Sequence, residues 1–282
     1  MTHNHQDNLH ELLAAARDGK VESLDDLAHQ THLSRFYLSR ILKKHLGFTL
    51  RDFLAAVKVD RAIEGLLNGY SVTWSQLDAG HESPSSFSKA FHRFTGTTPS
   101  MYRAEMASLA SYLMRSQDEQ TSLVVLHRKF RPEHHQQTSP LHIRVEGNSP
   151  RSALFVALHP DPLVKGEPLL GIALLGTNGY TVSAIPNGRS FAMVVEVPRT
   201  ADIRAYFQMS GNRRQLERQP IEFPLARPKT LTLKLRQLIP EDPPITVNLP
   251  KLFLEATAGR MDLQLNRKEV SNSGQADRNS AR

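Results

Sequence analysis

Between Gly80 and Arg103 the chain reads GHESPSSFSKAFHRFTGTTPSMYR, and four apolar positions in it, Phe87, Ala90, Phe91 and Phe94, recur at helical spacing. They define one buried stripe. Pro84 sits at a first helical position, where its missing N–H costs nothing, and Gly96 stops the helix. Ser85, Ser86, Ser88, Lys89, His92 and Arg93 lie on the opposite side. Thr97-Thr98-Pro99-Ser100 then starts a further helix that carries Tyr102 and Arg103. A helix with an aromatic inner stripe and an outer face of short polar and basic residues suits the DNA major groove. An amphipathic core helix with a solvated back has the same periodicity, so periodicity by itself leaves both readings open.

The register of individual residues resolves that choice. Gly80, Ser83, Ser86, Phe87, Ser88, Lys89, Phe91, Arg93, Gly96, Thr98, Pro99, Tyr102 and Arg103 resemble the ending of the DNA-binding domain of the AraC/XylS family. The upstream half of that pattern is matched by SLDDLAHQTHLSRFYLSRILKKHLG, Ser23 to Gly47. The resemblance covers roughly residues 8 to 107, a little over a third of the chain. It implies a double helix-turn-helix domain and a sequence-specific transcription regulator whose partner is double-stranded DNA. On the third helix it implies an outward, DNA-facing set of Ser34, Arg35, Phe36, Ser39, Arg40, Lys43 and Lys44. On the sixth it implies Ser85, Ser86, Ser88, Lys89 and Arg93. Arg40 stands where the family reads bases, and arginine pairs bidentately with guanine O6 and N7. Lys43, Lys44, Lys89 and Arg93 suit phosphate contact.

This chain also departs from the pattern. His32 occupies a turn where the family often has glycine. Ser75, Gln76, Ala79 and His81 stand where Ile, Ala, Val and Phe are expected. Burying such polar groups unpaired would cost on the order of 1–3 kcal/mol each. The expectation is that Trp74 and Leu77 repack the fifth helix, or that the second motif is loosely built.

Composition narrows what the rest can be. A chain of 282 residues with 39% hydrophobic content suits two domains with real cores. There is no cysteine, which excludes disulfides, thiol catalysis and cysteine-ligated zinc. The polar start and the lack of a long apolar run predict a soluble, cytoplasmic protein without a membrane partner. The net charge of +7 falls entirely after residue 107, because residues 1–107 carry equal numbers of acids and bases. Clustering matters more than total charge for DNA, and seven basic residues lie between Ser34 and Arg61 against Asp52 and Asp60.

In chain order, Asp7 or Asn8 is placed to cap a first helix with Leu9, Leu12, Leu13 and Ala16 inward. Ser23 and Ser34 are placed to cap the second and third. A fourth helix from Thr49 and Asp52 to Asn68-Gly69 is long enough to hold two recognition helices about one DNA turn apart. Beyond about Arg115 the period changes. Short apolar runs beginning at Leu123, Leu141, Ala153, Leu169, Gly179, Phe191 and Leu231, with Asn-Gly turns and many of the 17 prolines between them, predict strands of a β-sandwich. The run GYTVSAIPNGRSFAMVVEV resembles a transthyretin-like or carboxypeptidase-regulatory sandwich. Arg131 to Pro140 reads as a linker or loop, and the polar tail as disordered.

The resulting fold class is α+β with two domains. An all-α double helix-turn-helix domain (1–115) precedes an all-β sandwich-like domain (116–265) and a tail (266–282). The β domain is expected to sense a small-molecule effector; it could instead serve a homodimer or contact RNA polymerase, or be a ligand-binding sandwich beside a vestigial helix-turn-helix. Thirteen histidines include His127, His142, His134 and His135, which are more simply solvated than metal ligands. No catalytic motif is present, so no enzymatic activity, cofactor or metal is expected.

Overall fold

The computed structural model describes residues 3–119, 122–131 and 139–259. Seven helices come first: α1 (His3–Arg17), α2 (Leu24–Thr31), α3 (Arg35–Leu46), α4 (Leu50–Leu67), α5 (Val72–Asp78), α6 (Pro84–Thr95) and α7 (Pro99–Asp118). From α2 to α7 every one starts at a Ser or Thr whose side chain accepts the N–H three residues on; the caps are Ser23, Ser34, Thr49, Ser71, Ser83 and Thr98. Each such cap stabilises its helix by about 0.5–2 kcal/mol. α1 begins before Asp7 and Asn8, so those two lie within the helix and are not its caps.

The helical half is a duplicated unit. α3 and α6 are both 12 residues long, begin at a serine cap and end at a left-handed glycine, Gly47 and Gly96, each with φ 80°. The turn before α3 places His32 in the left-handed region at φ 54°, a conformation that histidine tolerates better than most side chains. α4 joins the two units. Its 18 residues span ~27 Å, and its buried positions, among them Phe53, Val57, Val59, Ile63 and Leu66, serve both sides.

α5 departs from expectation. Trp74 and Leu77 do not repack it; they are 57% and 58% exposed, and Tyr70 meets Trp74 edge-on at the surface. Trp74 emission should therefore sit near that of a solvated indole. Ser75 and Gln76 are the buried residues. Ser75 fits because Gly65 of α4 has no side chain: a Cβ there would lie 2.9 Å from Ser75 Oγ. Gln76 Nε2 donates to the His81 carbonyl at 3.2 Å. Ser75 is thus admitted by its small size, although its Oγ is buried without a hydrogen-bond partner among the described residues.

Among the described residues the second half contains nine strands in two sheets. The large sheet has the order β1 (Leu123–Arg128), β4 (Leu170–Leu175), β3 (Ala153–His159), β6 (Gly188–Val197) and β7 (Arg214–Leu216), with β8 (Ile221–Phe223) also paired to β6. The small sheet has the order β5 (Gly179–Val182), β2 (Leu141–Glu146) and β9 (Lys229–Lys234). β2 runs antiparallel to β5 and parallel to β9. Leu154, Val156, Ile172, Leu174 and Val194 on one face of the large sheet pack against Leu141, Ile143, Val145, Leu231 and Leu233 of the small one. The small sheet is wet outside, so β2 alternates buried with Arg144 exposed. The run from Gly179 to Val197 crosses from the small sheet to the large one at Pro186.

The other face of the large sheet explains why β3 and β6 are apolar on both sides. Val125, Phe155, Ala173, Met193 and Val195 belong to one continuous apolar cluster with the helical half and with a terminal helix, α8, over residues 249–259. Polar contacts reinforce this seam. Gln117 Nε2 donates to Val197 O at 3.0 Å, and Tyr206 Oη donates to Gln117 Oε1 at 2.9 Å. Arg199 grips Asp118 with two bonds of 2.8 and 2.7 Å. Arg17 of α1 donates to Pro240 O and Asp242 O. Of the boundaries expected above, the linker lies mostly, and the tail wholly, outside the described residues.

Asp60 of α4 lies in this seam. Burial pushes its carboxyl up to about 6, against the pull of Arg214 and Arg17, with Glu64 adding to the rise. The folded chain therefore holds this proton more tightly than the unfolded chain, and the associated stability is lost as pH rises from about 4 through about 6. Asp60 retains some solvent contact, which moderates the cost. Asp60→Asn is expected to raise stability at pH 7.5 by about 1–2 kcal/mol and to change nothing at pH 4. Denaturant unfolding at both pH values checks this; an equal gain at the two would remove ionisation as the cause.

Candidate nucleic-acid interface

All twelve residues expected at the interface are exposed, five on α6 and seven at or on α3. The inner faces explain why. Leu38, Leu42 and Leu46 anchor α3, and Phe87, Phe91 and Phe94 anchor α6, which turns the intervening residues outward. The β half leaves both outer faces uncovered.

The two faces differ chemically. α3 presents Arg35, Phe36, Ser39, Arg40, Lys43 and Lys44. Phe36 is 77% exposed and so open to an apolar contact such as that with a thymine methyl. The Arg35 guanidinium lies 5.4 Å from its ring centre and the Arg40 guanidinium 5.9 Å from that of Tyr37. Arg35 Nη1 also lies 3.6 Å from Asp25, but both side chains are solvated, so the pair holds the arginine only weakly. α6 offers three serines, Lys89 and Arg93, whose guanidinium covers the Phe94 ring at 4.8 Å.

Two of the twelve have local duties. Ser34 Oγ accepts the Tyr37 N–H at 3.3 Å. Ser86 Oγ donates to Ser83 O at 2.9 Å and pairs with Ser83 Oγ. Their hydroxyls are already engaged in starting the helices. His81 braces α6 from below: its ring lies 5.0 Å from Phe87, and burial, helped by the Lys58 charge, pushes its imidazole down. It acts as a neutral aromatic filler where the resembling family has Phe.

Loop 160–168 and segment 245–248 of the β half reach the ends of these helices, a contact that sequence reasoning missed. Lys165 Nζ pairs with Asp52 at 3.1 Å, and Thr246 Oγ1 donates to Phe94 O at 3.4 Å. Burial opposes ionisation of Asp52, but its bonds from Lys165 and Thr49 prevail and hold the carboxyl below its usual range.

Two exposed recognition helices on a shared spacer define a helix-turn-helix class of protein. Residues 27–105 match the family model of a helix-turn-helix domain, and the domain is of the AraC type. Over 79 residues the chain is 33% identical to the raffinose operon transcriptional regulatory protein RafR of Pediococcus pentosaceus, covering 28% of each chain. It is 29% identical over 82 residues to the transcriptional activator AarP of Providencia stuartii, covering 29% of this chain and 61% of that one. A solved structure, the C-terminal domain of the response regulator AraT from Geobacillus stearothermophilus, is 27% identical, with TM-score 0.31, covering 33% of this chain and 84% of that one. The chain spans less than two thirds of the length of these curated relatives. Among the described residues no helix is long and apolar enough to cross a membrane, and no group of three or more His, Asp or Glu could hold a metal. His127 and His142 lie in different sheets.

Lys43 and Lys44, exposed at the end of α3, have no ion pair among the described residues. Replacing both with alanine is expected to lower the slope of log affinity against log salt by about 0.9 for each phosphate that the pair neutralises. An unchanged slope would take them out of the interface.

Proposed function

We propose that this chain is a sequence-specific, double-stranded-DNA-binding transcription regulator with no enzymatic role, and that its β half carries an effector signal to the helical half. The observation that carries the reading is the pair of open recognition helices α3 and α6 on either side of α4. With a spacer of ~27 Å, they suit successive major-groove faces about 34 Å apart on one side of the duplex. Selection of genomic fragments by the purified full chain, followed by footprinting, tests this. Protection of two adjacent major grooves on one face is expected. Failure to enrich any sequence over bulk DNA would end the reading.

A protein partner, whether a second copy or RNA polymerase, is a second reading. The exposed Tyr70, Trp74 and Leu77, 42%, 57% and 58% accessible, favour it. Sedimentation of the chain alone, then with polymerase, separates the two partners.

A further inference from the structure

The face of the large sheet that meets the helical half is not filled completely. Between it and residues 245–256 lies a cavity of about 50 Å³. Its walls are almost wholly apolar, with Phe155, Ala157, Ala173, Met193 and Phe253 among them, and His127 is the polar group at its edge. The His127 Nε2 is shielded from solvent and lacks a hydrogen-bond partner among the described residues. Glu167 Oε2 lies 3.5 Å from it but is also 3.6 Å from Lys129 Nζ. The space exceeds the ~10–15 Å³ that one water needs, yet a water there would find one polar partner rather than two to four. Such a site suits hydrocarbon better than water. Beside His127, Lys129 and Glu167 offset one another, so neither an anion nor a cation is favoured. The His127 Nε2, near Glu167 but without a hydrogen bond among the described residues, leaves room for a single hydroxyl or carbonyl.

The walls that are not sheet touch the DNA-binding helices. Val164 and Pro168 line the cavity and belong to loop 160–168. That loop abuts the ends of both recognition helices. A Cβ on Gly47, just past α3, would lie 2.7 Å from Pro162 Cγ, and one on Gly166 would lie 3.3 Å from the Arg93 carbonyl oxygen of α6. Lys165 ties the same loop to the start of α4 at Asp52. Ile245, Val247 and Leu249 form another wall, and between them Thr246 and Asn248 donate to Phe94 O and Thr95 O at 3.4 Å each. A displacement of either wall moves a contact at the C-terminal end of α6, and a displacement of the loop also moves one at α3.

We propose that this cavity binds a small, uncharged, mainly apolar molecule with one hydroxyl or carbonyl group, and that filling it shifts α3 relative to α6 through loop 160–168 and segment 245–249. This rests on the reading of the chain as a DNA-binding regulator with an effector-sensing β half. The cavity of about 50 Å³ is well below the ~150 Å³ that holds benzene, so the ligand both enters and is held by parting α8 from the sheet, since Phe253 and Leu252 line the cavity from that helix.

The test uses the full chain, p-cresol as probe, and a DNA fragment that the chain itself has selected. At ten times its Kd, p-cresol is expected to raise Tm by about 2–4 °C and to change the Kd for DNA at least threefold. Toluene is expected to bind more weakly than p-cresol, and p-toluate not to raise Tm. Ala157→Val, whose added methyl groups match the size of the cavity, is expected to abolish both effects. His127→Leu, which leaves the cavity open and its walls intact, is expected to erase the preference for p-cresol over toluene. A Tm rise that persists in Ala157→Val would put the ligand elsewhere and overturn the proposal. So would the absence of any shift with p-cresol, or a shift with no change in DNA affinity. In each of those cases retention of the selected fragment leaves the DNA-binding reading standing, whereas a chain that selects no DNA at all sinks that reading first and the coupling with it.

Discussion

Phe207→Ala is expected to destabilise the full chain by about 3–5 kcal/mol, and to do so in a single transition that includes the helical half. Phe207 is 1% exposed and follows a short 3-10 turn at Ile203–Tyr206 in the β half. Its ring lies 5.6 Å from that of Tyr102, which is 5.4 Å from Phe91, which is 5.6 Å from Phe87. This aromatic chain runs from the β half into the inner stripe of the second recognition helix. Removing its last member leaves a cavity beside Tyr102 that neither half can collapse into, because α7 is held on both sides. Far-ultraviolet circular dichroism at the helix band follows the helical half, and hydrogen exchange of the β3 and β6 amides follows the β half, both through guanidinium unfolding. A loss below about 1 kcal/mol, or two separated transitions of which only the first moves, would show that the seam carries little of the stability. The same geometry predicts that a fragment ending near residue 115 is less stable than the helical half within the full chain, since it leaves Tyr102, Leu109 and Leu113 without their β-half neighbours.

Arg40→Ala is expected to weaken specific binding by about 1–3 kcal/mol and to relax preference at one base pair. The guanidinium is exposed, free of any carboxylate among the described residues, and carried by a rigid helix capped at both ends. Measuring Arg40→Ala against every single-base substitution of the site is decisive. A uniform loss over all sequences would mean that Arg40 touches only phosphate. The same set of substitutions tests the asymmetry of the two helices. α3 carries arginines, lysines and an exposed phenyl ring, whereas α6 carries serines, one of them committed to its cap, with Lys89 and Arg93. Stronger penalties are therefore expected in the half-site under α3. Within α5, Ser75 packs against Gly65 and Gln76 donates to the His81 carbonyl, while Ser75 Oγ is buried without a hydrogen-bond partner among the described residues. Equal penalties of ~1–3 kcal/mol in both halves would show that short side chains on α6 read bases as well as arginine does on α3.

The amino-acid sequence by itself determined most features that depend on neighbours a few residues apart, though not the start of α1 or the inward side of α5. Ser and Thr caps, stop glycines and 3.6-residue stripes mark α2 to α7, and apolar runs between turn residues mark the longer strands. The outward positions on α3 and α6 follow from the same periodicity, whereas their reading as a DNA interface follows from the resemblance to the AraC/XylS pattern. Only the tertiary structure decided what those elements lean on. β7 and β8 are three residues each, too short to show a period, and exist because β6 offers them an edge. α8, over residues 249–259, follows a proline-rich stretch and is held by the face of the large sheet. The fit of Ser75 to Gly65 joins residues on two helices, and the aromatic chain to Phe207 joins two halves of the chain. Loop 160–168 against Gly47, Asp52 and Arg93 brings together positions more than sixty residues apart. Contacts at such separations depend on the path of the whole backbone, which local propensity does not encode, and that is where the coupling between cavity and recognition helices resides.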